Sequence, residues 1–289
     1  LPTVDGRSVE VLGRSDERFT MSGGSSSLIA ALAKRHAARI KTFRRVTRID
    51  PGPGGAGAKL TFSNAEVLNA SAVIVTTPAS IMSRVEYGVP LPALWKRFIA
   101  EVGLGKVGKV QAVTRSRPGE GNAGRGGELW QTANATGVSL GWDGSVRSRG
   151  EKPSPGGVWT WFTGGDQVVA ADAGDARERA LDFATYAEKA MPGMARATTD
   201  FVRRTQWHKE PFTMGGYVNF RPGQLTRFAE LIWTEADGVA SAPLGASPVW
   251  FAGEHLSDAY PGYMNGGAQT GRLAAQAIVA ARAPARRIG

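Results

Sequence analysis

Residues 251–278 read FAGEHLSDAYPGYMNGGAQTGRLAAQAI. A short apolar push, Val249, Trp250 and Phe251, stops at Ala252-Gly253-Glu254; a Pro-Gly-Tyr turn follows, and an Ala-rich helical run opens on Gly266-Gly267. The spacing predicts a strand, a tight loop and a helix. A strand ending in Gly253 lets a ligand approach the backbone with no Cβ in the way. Glu254 is placed to accept a hydrogen bond or to orient a diphosphate through water. The helix beginning near residues 263–267 offers free N–H groups and a partial positive charge to an electron-rich or anionic atom. A plain βα connection with capping glycines has the same pattern, and these residues by themselves leave the two readings level.

Outward from this segment the texture remains α/β. Residues 21–50 predict a helix from Ser27 to His36 and a strand around Ile40 to Ile49. PGPGGAG makes a turn, and two strands follow, KLTF and SAVIVTTP; the second is an unalternating apolar run suited to a strand covered on both faces. The middle differs: GKVQAV predicts a strand that runs into a glycine-rich loop, VSLGW and GGVWTWFT predict antiparallel strands rich in aromatics, and DARERALDFATYAEKAMPG a helix with a polar face. The loop PGEGNAGRGGE, residues 118–128, is long and glycine-rich enough to be mobile. The two ends thus form one α/β layer and the middle a separate sheet-and-helix module.

Composition narrows the function. The chain has 289 residues, 42% hydrophobic and 21% charged, a folded type of composition. Its net charge of +10 comes from scattered arginines and reads as a solvated basic surface, so nucleic acid is not an expected partner. With no cysteine, disulfides, thiolate catalysis and Cys-ligated metals are excluded. His36, His208 and His255 lie far apart without ligand spacing, so no metal is expected. No apolar run is long enough to span a bilayer, and no signal-peptide pattern is present; a soluble protein of unassigned compartment is expected. The start at Leu1 suggests a processed polypeptide.

Two stretches match the dinucleotide fingerprint G-x-G-x-x-G literally, Gly52 to Gly57 and Gly119 to Gly124. The fingerprint works only between a strand and a helix whose amides face the pyrophosphate. The first leads into another strand and the second into no helix, so both read as ordinary turns.

FAGEH (251–255), GYMNGG (262–267) and GRLAA (271–275) together resemble the C-terminal flavin motif of the FAD-dependent amine oxidase superfamily, which includes monoamine, polyamine and L-amino acid oxidases. Other pieces fall in family order. GGSSSLIAALA resembles the family's Gly-Gly helix start; RRVTRID the strand whose valine, Val46 here, meets the adenine; and AVIVTTP the strand ending near the cofactor at Thr76, Thr77 and Pro78. GLGKVGKVQAV resembles the strand carrying the lysine that holds a water at flavin N5, which is Lys109, or in a shifted register Lys106. WHKEPFTMGGYVNF resembles the segment leading back into the FAD domain.

The resemblance implies an α/β fold: an incomplete FAD-binding Rossmann-like domain, residues 1–98 and 205–289, plus a mixed-sheet α+β substrate domain, 99–204. It implies FAD held by Val46, Thr76, Thr77, Pro78, Trp207, Gly253, Glu254, Gly262, Tyr263, Met264 and Asn265. Lys109, Tyr263 and Phe212 would be the catalytic set, with the two aromatics as walls presenting an amine to the flavin. Trp142, Gly215 and Gly216 would line the substrate pocket. Without this context, Phe212 and Trp142 read as core aromatics and Lys109 as an edge lysine.

One departure is large. The family's N-terminal βαβ unit, with its fingerprint and acidic ribose partner, has no counterpart here. We therefore expect a two-chain enzyme whose partner is a separate N-terminal chain carrying the GxGxxG motif, from a processed precursor or a split gene, assembled into a higher hetero-oligomer. A non-binding remnant is the alternative. The implied reaction is oxidative deamination of an L-amino acid to the 2-oxo acid, with ammonia and hydrogen peroxide released. An amine or polyamine oxidase of the same fold and a non-catalytic subunit are the rivals.

Overall fold

The computed structural model describes residues 3–4, 7–8, 21–118, 128–130, 137–145, 154–236, 239–241, 243 and 248–282. In chain order its strands are β1 (Thr3–Val4), β2 (Arg7–Ser8), β3 (Val46–Pro51), β4 (Ala58–Phe62), β5 (Val67–Ala70), β6 (Val73–Val75), β7 (Glu86–Tyr87), β8 (Val107–Thr114), β9 (Glu128–Trp130), β10 (Leu140–Asp143), β11 (Gly157–Gly164), β12 (Thr198–Arg204), β13 (Thr234–Ala236), β14 (Val239–Ser241) and β15 (Val249–Phe251). Its helices are α1 (Ser26–Arg35), α2 (Ala79–Met82), α3 (Ala93–Glu101), α4 (Asp166–Asp172), α5 (Ala176–Ala187), α6 (Met194–Ala197), α7 (Gln224–Arg227) and α8 (Met264–Arg282). The chain divides into two compact units. The first comprises Leu1–Asp16, Lys41–Leu104 and Tyr217–Gly289; the second comprises Glu17–Ile40 and Gly105–Gly216.

In the first unit, the apolar runs around Val75 and Phe251 pair as a parallel ladder, Val249 with Val73 through Phe251 with Val75. Parallel neighbours need a long connection, and here 173 residues lie between Val75, the end of β6, and Val249, the start of β15. A four-stranded sheet in the order β5-β4-β3-β7 lies in the same unit. The core is aromatic. Trp95 and Phe98, three residues apart on α3, share its buried face, while Arg97 and Glu101 pair on the exposed side. Trp95 stacks on Phe251 at 4.2 Å, and the Trp233 indole donates to the Phe251 carbonyl at 2.9 Å. Strand β15 is thereby anchored at the point where its chain turns toward α8.

The second unit is built on a sheet in the order β12-β8-β11-β10-β9. In β8 the burial alternates, with Gly108, Val110, Ala112 and Thr114 buried and Val107, Lys109, Gln111 and Val113 half-buried. The buried face packs with Trp161, Phe183, Ala180, Ala184 and Met194 into a second core, with Phe183 and the alanines supplied by α5. Asp175 caps α5 by accepting from the Arg177 N–H at 2.6 Å, the expected helix with its polar face outward.

Two expectations change. The substrate portion is not a mixed sheet: every pairing in the five-stranded sheet is antiparallel. No helix separates β8 from β11 among the described residues, and antiparallel neighbours need none. The strand expected from Ile40 starts only at Val46, because Phe43 sits at φ 59, a left-handed conformation that no paired strand accepts. The helix expected at Ser27 to His36 is present as α1, yet it buries none of its residues. The fingerprint match at Gly52 to Gly57 is a hairpin turn between antiparallel β3 and β4, closed by Gly52 N–H to the Gly57 carbonyl at 3.0 Å. The second match, Gly119 to Gly124, and the loop beyond Pro118 lie outside the described residues.

Candidate active site

In the first unit the ends of β6 and β15 and the start of α8 come together. The Ala252 N–H donates to the Val75 carbonyl at 3.0 Å, so the chain leaves both strands side by side. Gly253, at φ 151, donates its N–H to the fully buried Thr270 hydroxyl at 2.9 Å, and the same hydroxyl lies 2.9 Å from the Gly266 carbonyl. One side chain thus ties the strand end to the first turns of α8. A Cβ on Gly253 would come within 2.3 Å of the His255 ring, so the missing side chain makes room for a buried imidazole. Burial pushes His255 down to about 4, leaving it neutral.

Glu254 is half-buried and engages two backbone amides: Oε1 accepts from Val218 at 3.0 Å and Oε2 from Gly262 at 2.7 Å. Burial raises its pKa above the ordinary carboxylate value, with the two amides opposing that shift. Beyond Gly262, at φ 85, come half-buried Tyr263 and exposed Met264 and Asn265, where α8 begins. Past the end of β6, Thr76 is exposed, Thr77 and Pro78 are half-buried, and the Thr77 Oγ1 is buried with no hydrogen-bond partner among the described residues. Val46 opens β3, opposite Phe62 on β4. The first unit therefore gathers Thr76, Thr77, Pro78, Gly253 and Glu254 around the linked strand ends; Gly262, Tyr263, Met264 and Asn265 follow on the α8 side.

In the second unit, Lys109 lies on the face of β8 turned away from the core, and its Nζ sits 5.3 Å from the Trp142 ring centroid on β10. The Lys109 N–H donates to the Thr205 hydroxyl at 2.9 Å, which fixes the strand beside it. Lys106 precedes the strand and is exposed. Phe162, paired with Lys109 across β8 and β11, lies 6.3 Å from the Trp142 ring. Sequence reasoning missed Phe162, although the alternation in GVWTWFTG puts it on the face opposite Trp161.

Trp207, Phe212, Gly215 and Gly216 occupy one turn of the same unit. The Trp207 carbonyl accepts from Glu210 and Gly215 N–H groups and from the Thr213 hydroxyl at 3.0 Å. Gly216 donates to the Gly105 carbonyl, and a Cβ there would meet Val107 at 1.9 Å. Gly216 is thus a packing glycine beside the strand of Lys109. Phe212 is 63% exposed, which rules out the core-packing reading for it. Asp172 of α4 holds the turn down, 2.9 Å from His208 Nε2 and 3.0 Å from Lys209 Nζ. Tyr217, which the sequence reading passed over, belongs to the first unit and packs against Gly262: a Cβ there would lie 3.6 Å from the ring. Among the described residues no cluster could hold a metal ion, and no helix is long and apolar enough to cross a membrane.

Comparison with known proteins gives this geometry a context. The chain is 25% identical over 213 residues to an L-amino acid dehydrogenase of Synechocystis sp., covering 71% of this chain and 40% of that protein. It is 23% identical to the flavin-containing amine oxidase B of Mus musculus, covering 92% of this chain and 48% of the other. Among solved structures, it superposes on putrescine oxidase bound to putrescine with a TM-score of 0.71 at 21% identity, covering 89% of this chain and 53% of that one. For cyclohexylamine oxidase from Brevibacterium oxydans the TM-score is 0.72 at 24% identity, covering 89% and 53%. The chain spans about half the length of the curated relatives it matches. The sequence pattern of flavin containing amine oxidoreductase covers residues 6–279, and this chain belongs to that family.

Proposed function

We propose that this chain is the larger, C-terminal part of a two-chain FAD-dependent L-amino acid oxidase, converting an L-amino acid to its 2-oxo acid with release of ammonia and hydrogen peroxide. The observation that carries the reading is the joined end of β6, β15 and α8, where two parallel strands stop beside a helix N-terminus. Ligands of open α/β sheets gather outside the carboxyl ends of the strands, where helix amides face them. The residues present fit a flavin nucleotide. The orphaned Thr77 hydroxyl asks for a polar partner; at the start of α8 the Gly266 and Gly267 amides donate to the Tyr263 carbonyl, which leaves those of Met264 and Asn265 to face a ligand. Val46, Thr76, Thr77, Pro78, Gly253, Glu254, Gly262, Tyr263, Met264 and Asn265, all of the first unit, would shape this nucleotide site.

FAD, when bound, would supply the hydride-accepting redox chemistry. The chain's own residues do the rest. In the first unit Tyr263 would orient the neutral amine; in the second, Phe212 would offer an aromatic wall and Lys109 would hold a water by its ammonium. Trp142, Gly215 and Gly216 would line the substrate pocket in the second unit. In this proposal a separate polypeptide carrying the GxGxxG unit would complete the cofactor site. In this reading residues 1–98 and 205–289 are the FAD-binding portion and 99–204 the substrate portion.

The choice of an amino acid over a simple amine is supported by the relative described as an L-amino acid dehydrogenase. An amine oxidase is the second reading, favoured by the relative described as amine oxidase B. The test is co-production of this chain with the polypeptide encoded immediately upstream, followed by visible absorbance and turnover. The proposal expects a flavin spectrum and peroxide from L-amino acids; turnover with a dye acceptor alone would make it a dehydrogenase. Peroxide from amines without a carboxylate would move it to the second reading. A colourless complex would overturn both.

A further inference from the structure

We infer that Glu254 is a positioning residue. Its one carboxylate ties the Val218 amide to the Gly262 amide, and so fixes Tyr217 and Tyr263, the residues beside those amides, at the entry to α8. The inference rests on the reading of that entry as the cofactor side of the first unit.

The two amides come from distant parts of the sequence, 36 residues before Glu254 and 8 after it. Val218 makes only an isolated bridge, to Leu104, and Gly262 precedes the helix, so neither amide is absorbed by a regular ladder. A half-buried N–H without an acceptor is costly, and here both acceptors are on one side chain. Only a carboxylate presents an acceptor on each arm. Glutamine would turn an NH2 group toward one of the two N–H donors, and aspartate is one methylene shorter. The requirement for two acceptors explains why an ionisable group is kept in a half-buried place that disfavours its charge.

The contact made by Gly262 gives the tie its consequence. Its left-handed φ of 85 and the Tyr217 ring, 3.6 Å from where a Cβ would sit, leave the backbone between Glu254 and Tyr263 little freedom. A change in the Glu254–Gly262 bond would therefore shift Tyr217 and Tyr263 together rather than singly. No ion pair to Glu254 competes for its oxygens among the described residues, so the two amides are what it reads.

The test uses the chain alone, without flavin, so its result is independent of whether the assembled protein binds FAD. In amide-resolved NMR of the wild-type chain, the Val218 and Gly262 N–H signals are expected to move with pH along one shared curve, centred above an ordinary glutamate. Glu254→Gln should abolish that shared titration and speed exchange of both amides about tenfold or more. It should also weaken the contact between the Tyr217 ring and Gly262, while signals of Trp95 and Phe251 stay in place. Glu254→Asp should restore at most one of the two protected amides. Separate titrations of the two amides in the wild-type chain, or unchanged exchange in Glu254→Gln, would overturn the inference. The wild-type titration decides it even if the variant fails to fold.

Discussion

In the first unit Tyr263 follows a turn whose amides are taken up by Glu254 and Thr270, whereas in the second unit Lys109 is placed by its register in an eight-residue strand. The first arrangement depends on a few side chains meeting backbone groups far away in sequence. The second depends on a sheet with one face packed into a core and the other carrying Lys109, Trp142 and Phe162. A turn held by single contacts can be altered by one substitution, while a strand register changes only if the sheet itself is lost. Adjacent residues on opposite faces of β11 should separate these two kinds of dependence most sharply. Trp161 is fully buried against Phe183, with ring centroids 6.1 Å apart. Trp161→Ala is expected to destabilise the second unit by about 3–5 kcal/mol, through lost burial and the cavity left behind. Phe162→Ala, one residue on and half-buried, should cost far less; chemical denaturation of both variants is the measurement. Equal losses would mean that the two faces are not distinct.

The first unit has a dependence that the second does not share, because it contains the buried neutral His255. Its folded pKa is depressed to about 4 from an ordinary 6.5, so as pH falls the unfolded chain takes up a proton before the folded one does. Stability is therefore full above the unfolded value and is lost as pH falls from about 6.5 to 4, by about 3 kcal/mol in all. Glu254, raised by burial, runs the other way: its contribution is present at low pH and lost as pH rises through its folded value. His255→Leu should flatten the acid limb of a stability-against-pH curve. An unchanged limb would mean that another group carries it.

Much of this was legible in sequence where the signal is local. Val249 to Gly267 announces strand, turn and helix by composition, and the alternation VGKVQAVT puts Lys109 on the face opposite Val110 and Ala112. The hairpin at Gly52 to Gly57 was legible for the same reason: a second strand follows it directly. What the sequence concealed is long-range. Nothing adjacent to Glu254 reveals that Val218 is its partner, and nothing adjacent to Asp172 reveals His208 and Lys209. Nor does the sequence reveal that the absent side chain of Gly253 accommodates His255. The antiparallel pairing of VSLGW with GGVWTWFT was legible, but the place of β12 beside β8 was hidden, because strand propensity says nothing about which neighbour a strand will choose.

Two glycines of α8 provide a smaller test of how the first unit holds its turn. A Cβ on Gly266 would come 2.2 Å from the Tyr260 carbonyl oxygen, and backbone cannot swing aside as a side chain can. Gly267, the next residue, faces open space. Gly266→Ala is expected to destabilise by about 1–3 kcal/mol and to displace the 257–263 turn. Gly267→Ala should be neutral or stabilise by up to about 1 kcal/mol, from helix propensity alone. Thermal denaturation separates the two, and a neutral Gly266→Ala would show that the turn is free to retreat from the helix.

The smallest expected effect probes the other face of the second unit. The Lys109 ammonium lies over the Trp142 ring, and such a contact contributes only about 0.5–1 kcal/mol where water has access. Trp142→Leu should therefore barely move stability, because Val110 and Ala112 keep the strand in register from the opposite face. The consequence should instead be local: the Lys109 side-chain NMR signals, shielded by the indole in the wild type, move to the positions of an ordinary lysine. Trp142→Phe should recover part of that shielding, since a smaller aromatic face remains. A large loss of stability in Trp142→Leu would make Trp142 part of the fold. An unshifted Lys109 would place its ammonium elsewhere, and the lysine would then owe its position to β8 and Thr205 alone.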